Sequence, residues 1–126
     1  MTDNNFQIPL TQIVASPQDA SAMVAALQSF TQLQTARVTA RPLTFDDNAA
    51  LVALLSNPRV SGPITMFPQP FVESSGLKWI NEGIEKQAAG NGLHLGVFYN
   101  DNGLMIGEYH LKAWPENLTG KFGGCL

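Results

Sequence analysis

The stretch Leu93-His94-Leu95-Gly96-Val97-Phe98-Tyr99-Asn100-Asp101-Asn102-Gly103-Leu104-Met105-Ile106-Gly107-Glu108-Tyr109-His110-Leu111-Lys112 carries the plainest structural signal in this sequence. Its first seven residues alternate as a strand requires, with Leu93, Leu95, Val97 and Tyr99 on one face. His94 faces the opposite way and reads as a surface histidine or a satisfied strand histidine. Asn100-Asp101-Asn102-Gly103 predicts a hairpin turn, because Asn-Gly accepts positive φ at both central positions. Leu104 to Lys112 is then the partner strand. Glu108 and His110 are two residues apart on it and share a face.

Downstream, Trp114-Pro115-Glu116-Asn117 predicts a turn, and Leu118 to Leu126 a last short strand. Upstream, Val72 to Ala89 predicts a helix whose inner face is Leu77, Ile80 and Ile84, with Trp79 beside it. Gly90-Asn91-Gly92 closes that helix. Val60 to Phe71 contains Gly62, Pro63, Pro68 and Pro70 and is too interrupted for long regular structure. Before it, Thr44 to Asp47 has capping-box spacing and opens a short apolar helix over Ala49–Leu55, stopped at Ser56-Asn57-Pro58. Arg37 to Leu43 alternates and reads as a strand. The first helix is expected from Ser16 to about Gln34, with Ser16 as cap, Pro17 at the first helical position and Ala20, Met23, Val24, Leu27 and Phe30 on one face.

Composition narrows the possible functions. The chain has 126 residues, 44% hydrophobic and 13% charged. Typical soluble domains carry roughly 25% charged residues, and disordered tails combine high charge with little apolar content. The net charge is −3, and the basic residues Arg37, Arg41, Arg59, Lys78, Lys86, Lys112 and Lys121 are scattered along the sequence. No basic stripe faces phosphates, which argues against a nucleic-acid partner. Cys125 is the single cysteine, so an intramolecular disulfide is excluded and a cysteine metal cluster unsupported. No run reaches the ~18–20 apolar residues of a membrane helix, and the polar start at Met1-Thr2-Asp3 lacks signal-peptide character. These features predict a soluble, cytoplasmic protein without a membrane partner. Asn117-Leu118-Thr119 matches the glycosylation sequon, which without an export signal reads as chance.

The order strand, helix, helix, hairpin, strand is joined by more specific details. Thr35-Ala36-Arg37-Val38-Thr39-Ala40-Arg41-Pro42-Leu43-Thr44 resembles the opening "T-x-R-L-x-L-R-P-L" strand of the GNAT-superfamily N-acetyltransferases. Within that superfamily, the subgroup that acetylates ribosomal-protein N-termini and small amines is the most similar. Leu54-Leu55-Ser56-Asn57-Pro58-Arg59-Val60 is similar to its "L-L-S-D-P-x-V", and Gly103-Leu104-Met105-Ile106-Gly107 to its "G-x-x-I-G". Gly120 to Leu126 sits where the family writes "A-E-I-G-Y-W-L". The resemblance covers residues 35–126 and implies an α+β fold, the N-terminal portion of an acyl-CoA N-acyltransferase domain, with a mainly antiparallel sheet of about four strands and packed helices. Residues 1–34 are then an extension carrying the amphipathic helix. The implied activity is acetyl transfer from acetyl-CoA to an amine.

In the family, a Q/R-x-x-G-x-G/A loop follows the last of these strands and holds the cofactor pyrophosphate at a helix N-terminus. Here the sequence ends at Leu126, where that loop would begin, so this chain alone is expected to bind acetyl-CoA weakly or not at all and to be inactive by itself. Gln87-Ala88-Ala89-Gly90-Asn91-Gly92 fits the loop pattern, but it ends a helix and precedes a strand, which is the context of a C-cap. The alternative function is a non-catalytic dimerisation or binding module derived from an acetyltransferase. An open last strand and an apolar sheet face would favour pairing of two chains there, or cover by the first helix.

Glu108 and His110 are the candidate catalytic residues, since either could take a proton from an attacking amine; the competing reading is a solvent-facing polar strand surface. His94 and His110 lack a third ligand of defined spacing, so no metal is expected. The resemblance places Gly124, Cys125 and Leu126 on the strand whose backbone contacts the pantetheine arm and acetyl group. It also places Thr65, Met66 and Phe67 at the acceptor pocket, although a hydrophobic anchor for the Pro-rich loop explains Met66 and Phe67 equally well. Cys125 in a strand reads as packing rather than as a nucleophile.

Overall fold

The computed structural model describes residues 13–61 and 67–126. Its elements run α1 (Pro17–Ser29), β1 (Leu33–Gln34), β2 (Val38–Pro42), α2 (Asn48–Leu55), α3 (Pro58–Ser61), α4 (Glu73–Ala89), β3 (Gly92–Tyr99), β4 (Met105–Trp114) and β5 (Thr119–Cys125). Single 3₁₀ turns at Phe45–Asp47 and Pro115–Asn117 precede α2 and β5. All five strands lie in one antiparallel sheet in the order β1-β2-β3-β4-β5. The expected α+β architecture is therefore present, with one short strand more among the described residues than anticipated.

That extra strand comes from the end of the predicted first helix. Ser16 caps α1 by accepting from the Asp19 N–H, but the helix stops at Ser29. Thr35 explains the change of direction: its Oγ1 accepts from the backbone N–H groups of Arg37 and Val38, and its own N–H bonds the Val38 carbonyl. This local turn folds Leu33 and Gln34 back against Ala40 and Thr39.

The β3–β4 hairpin forms as expected, with a different turn. Only Gly103 has positive φ (71°) there, so the two-residue turn with both central residues left-handed is not used. Asn102 instead accepts from the Leu104 N–H through its side chain, and Gly103 N–H bonds Tyr99 O. The Asn side chain supplies the turn contact, which leaves Gly103 as the single left-handed residue.

Helices cover both faces of the sheet. On one side Leu43, Leu51, Leu55, Phe71, Ile80, Phe98 and Met105 form the main core beneath α2 and α4. On the other, Leu27 of α1 meets Leu93, Leu95 and Ala113, with Met23, Phe30 and Leu111 alongside. Strand β3 is thus covered on both faces, and α1 shields part of the open apolar face. Gln87 secures the arrangement by donating to the Leu27 and Phe30 carbonyls at the end of α1.

The inner face of α4 differs from the expected one. Gly76, Ile80 and Gly83 are buried, whereas Leu77 and Ile84 are exposed. Without side chains, Gly76 and Gly83 allow the helix backbone to approach Asn48 and His94, and this close approach sets which side of the helix turns inward. Gly90, at φ 74°, ends α4 as a left-handed C-cap, so Gln87–Gly92 is a helix end in the folded protein.

Candidate active site

Glu108 and His110 point from β4 toward the α4 side of the sheet. Glu108 is fully buried, and its carboxylate lies 3.0 Å from His110 Nδ1. A carboxylate can only accept, so Nδ1 carries the shared hydrogen, and in the neutral form of the ring the lone pair is then on Nε2. The histidine side chain retains one-fifth of its exposure. Gly123 faces it across β5, where an added Cβ would stand 3.1 Å from Nε2. Glycine at this position keeps Nε2 reachable.

His94 pairs with His110 across β3–β4, and its burial resolves the choice between a surface and a satisfied histidine. Its ring stacks on Trp79 at 3.8 Å, and Nδ1–H donates to the Trp79 carbonyl at 2.9 Å. Burial pushes its pKa down to about 4, with Lys86 and His110 adding to the effect against the carbonyl bond, so His94 is neutral near pH 7. Trp79 also meets His110 edge-on at 5.3 Å. Sequence periodicity marked Trp79 merely as flanking an apolar face. The signal for its role is the Gly83 four residues later, which leaves room for His94 under the helix.

His110, His94, Trp79, Lys86, Lys121 and Gly123 help to line a cleft of about 500 Å³. Phe67 lies outside it, buried edge-on against Phe71 and Trp79 at 5.7 and 4.9 Å. It borders a neighbouring cleft of about 470 Å³, for which Trp79 is the common wall. Thr65 and Met66 lie outside the described residues. Gly124 and Cys125 oppose Tyr109 and Glu108 on β5, and Leu126 is exposed beyond the strand. Burial raises the Cys125 pKa and the nearby Glu108 raises it further, which keeps the thiol protonated. Among the described residues, no group of three or more His, Cys, Asp and Glu could hold a metal ion, and no helix is long and apolar enough to cross a membrane.

No protein-family model and no curated protein matches this chain. Solved structures do. A putative ribosomal-protein-serine acetyltransferase from Vibrio cholerae aligns at TM-score 0.65 and 16% identity, over 77% of this chain and 54% of that one. A nucleotide-linked sugar GNAT aligns at 0.62 and 20%, over 75% and 53%. An acetyltransferase from Agrobacterium tumefaciens str. C58 aligns at 0.54 and 21%, over 76% and 54%. The chain therefore has a GNAT acetyltransferase-like fold and spans about half the length of these structures.

Proposed function

We propose that this chain serves acetyl transfer from acetyl-CoA to an amine, with His110 as general base and Glu108 holding it in place. The carrying observation is the buried Glu108 carboxylate bonded to Nδ1 of a histidine whose other nitrogen faces a cleft. This pairing fixes the tautomer and leaves Nε2 to accept the proton that an ammonium group must lose before attack. Glu108 then stabilises the imidazolium, as acidic partners of catalytic histidines do.

The residues beside His110 fit the acyl end of the cofactor. Gly123 leaves the β5 wall of this cleft without a side chain, while Gly124 lies on the opposite face, where a Cβ would collide with the Tyr109 ring. Acetyl-CoA, when bound, supplies a thioester carbonyl for the amine to attack. The β5 backbone would orient that group, while Trp79 and His94 close the cleft wall opposite. Among the described residues no glycine-rich loop opens a helix after a strand, so the chain's own affinity for the cofactor is expected to be weak.

The test is acetyl transfer to a panel of small amines at millimolar acetyl-CoA, comparing the unaltered chain with His110→Gln. Transfer that falls about 10²–10⁴-fold in the variant supports the proposal. Equal rates in both, or no transfer by the unaltered chain at saturating amine and millimolar acetyl-CoA, would overturn it.

A further inference from the structure

Three lysines that are far apart in sequence meet at the cleft over His110. Lys86 comes from α4, Lys112 from β4 and Lys121 from β5, and all three line it. They are three of the seven Lys and Arg in a chain of net charge −3. Strand register produces the meeting. Lys112 lies two residues beyond His110, on the same face, and pairs directly with Lys121. Gly92 is opposite Lys112 on β3, and a Cβ there would stand 3.2 Å from the Cβ and Cδ of Lys86. The Lys86 stem therefore crosses Gly92 to reach the strands.

Like charges directly opposite each other destabilise a sheet, so the Lys112–Lys121 pair is not explained by folding alone. No Asp or Glu lines this cleft. Glu108 is buried beneath and engaged by His110, while Glu82 and Glu85 border the adjoining cleft that Lys86 also reaches. Neither Lys86 nor Lys121 has an ion pair among the described residues; the Lys112 ammonium lies 5.4 Å over the Trp114 ring. The result is a cationic rim beside an imidazole nitrogen, in a cavity of small-molecule size.

We propose that this cleft selects a small amine that also carries an anionic group, a carboxylate or a phosphate, with the anion at the lysine rim and the amine toward His110. The amine end rests on the acetyl-transfer reading above; recognition of the anion does not.

The test is binding without any acyl donor, followed by the His110 imidazole NMR resonances during titration with O-phosphoethanolamine, β-alanine and neutral ethanolamine. At least one anionic amine is expected to bind about tenfold more tightly than ethanolamine, with about tenfold losses in Lys86→Gln and Lys121→Gln. Tighter O-phosphoethanolamine would identify phosphate as the group, and tighter β-alanine a carboxylate. Lys78→Gln, on the neighbouring cleft, should bind as the unaltered chain does. Equal binding of ethanolamine, or undiminished binding by both cleft-lysine variants, would overturn the proposal. If anions bind but transfer is indifferent to His110, the acetyl-transfer reading falls and the anion site stands; the reverse result removes the anion site alone.

Discussion

Gly83 of α4 rests directly on His94 of β3, so closely that a methyl group at residue 83 would stand 2.5 Å from the His94 Cβ. The helix reaches the sheet at this point because the residue has no side chain. The same contact places His94 beneath Trp79 and beside the His110 cleft.

Gly83→Ala should therefore destabilise the protein even though alanine is the better helix former. Overpacking costs about 1–3 kcal/mol and the propensity gain returns up to about 1 kcal/mol. Urea unfolding should show a lower midpoint with an unchanged slope. An equal or higher midpoint would mean that the helix can lift from His94 without penalty.

Stability should fall as the solution is acidified from about pH 6.5 toward pH 4. The folded His94 pKa, about 4, lies below the ordinary value of 6.5, so the unfolded chain binds the extra proton across this window. Full protonation would remove about 3 kcal/mol relative to neutral pH. Thermal midpoints measured across the window should flatten in His94→Gln; an identical slope in that variant would assign the loss to other groups.

Asp47 should act in a lower window. Burial alone would raise its pKa, but the Arg41 and Thr44 hydrogen bonds outweigh that and hold it below its ordinary 3.8. Arg41 grips both carboxylate oxygens at 2.8 and 2.9 Å, and Thr44 N–H bonds one of them. Its contribution is thus present above the ordinary carboxylate value and lost as pH falls through the depressed one. At neutral pH, Asp47→Ala should cost about 1–3 kcal/mol, since the link from β2 to the turn before α2 and the turn's own cap go together. Chemical denaturation checks this, and a loss below the error of the extrapolation would contradict it.

Glu108→Gln should lower the turnover of acetyl transfer with little change in KM. Glutamine keeps the shape but no longer offsets the positive charge that develops on His110. Steady-state kinetics on the most responsive amine separates the two parameters. A raised KM at constant turnover would show that Glu108 serves binding instead.

Particular residues show how far the sequence can be read. Alternation over Leu93–Tyr99 and the Asn100–Gly103 turn were legible because strand side chains alternate locally and few residues tolerate positive φ. The shared face of Glu108 and His110 followed from the same two-residue period, and their hydrogen bond agrees with it. The inward side of α4 was not legible. Apolar periodicity favoured Leu77, Ile80 and Ile84, whereas close packing at Gly76 and Gly83 turned the helix so that only Ile80 of the three is buried. Glycine contributes nothing to a hydrophobic pattern, yet it decides how near two backbones can come.

The lysines mark the boundary most clearly. Spread along the sequence as isolated charges, Lys86, Lys112 and Lys121 predicted no anion site of any kind. Local pattern was sufficient for the hairpin, the caps and the face shared by Glu108 and His110, because those depend on neighbours within a few residues. The cationic cleft, the burial of Glu108 and the stacking of His94 on Trp79 depend on β4–β5 register and on the height at which α4 docks. Those are contacts between distant segments, and they arise when the helix and the strands pack together.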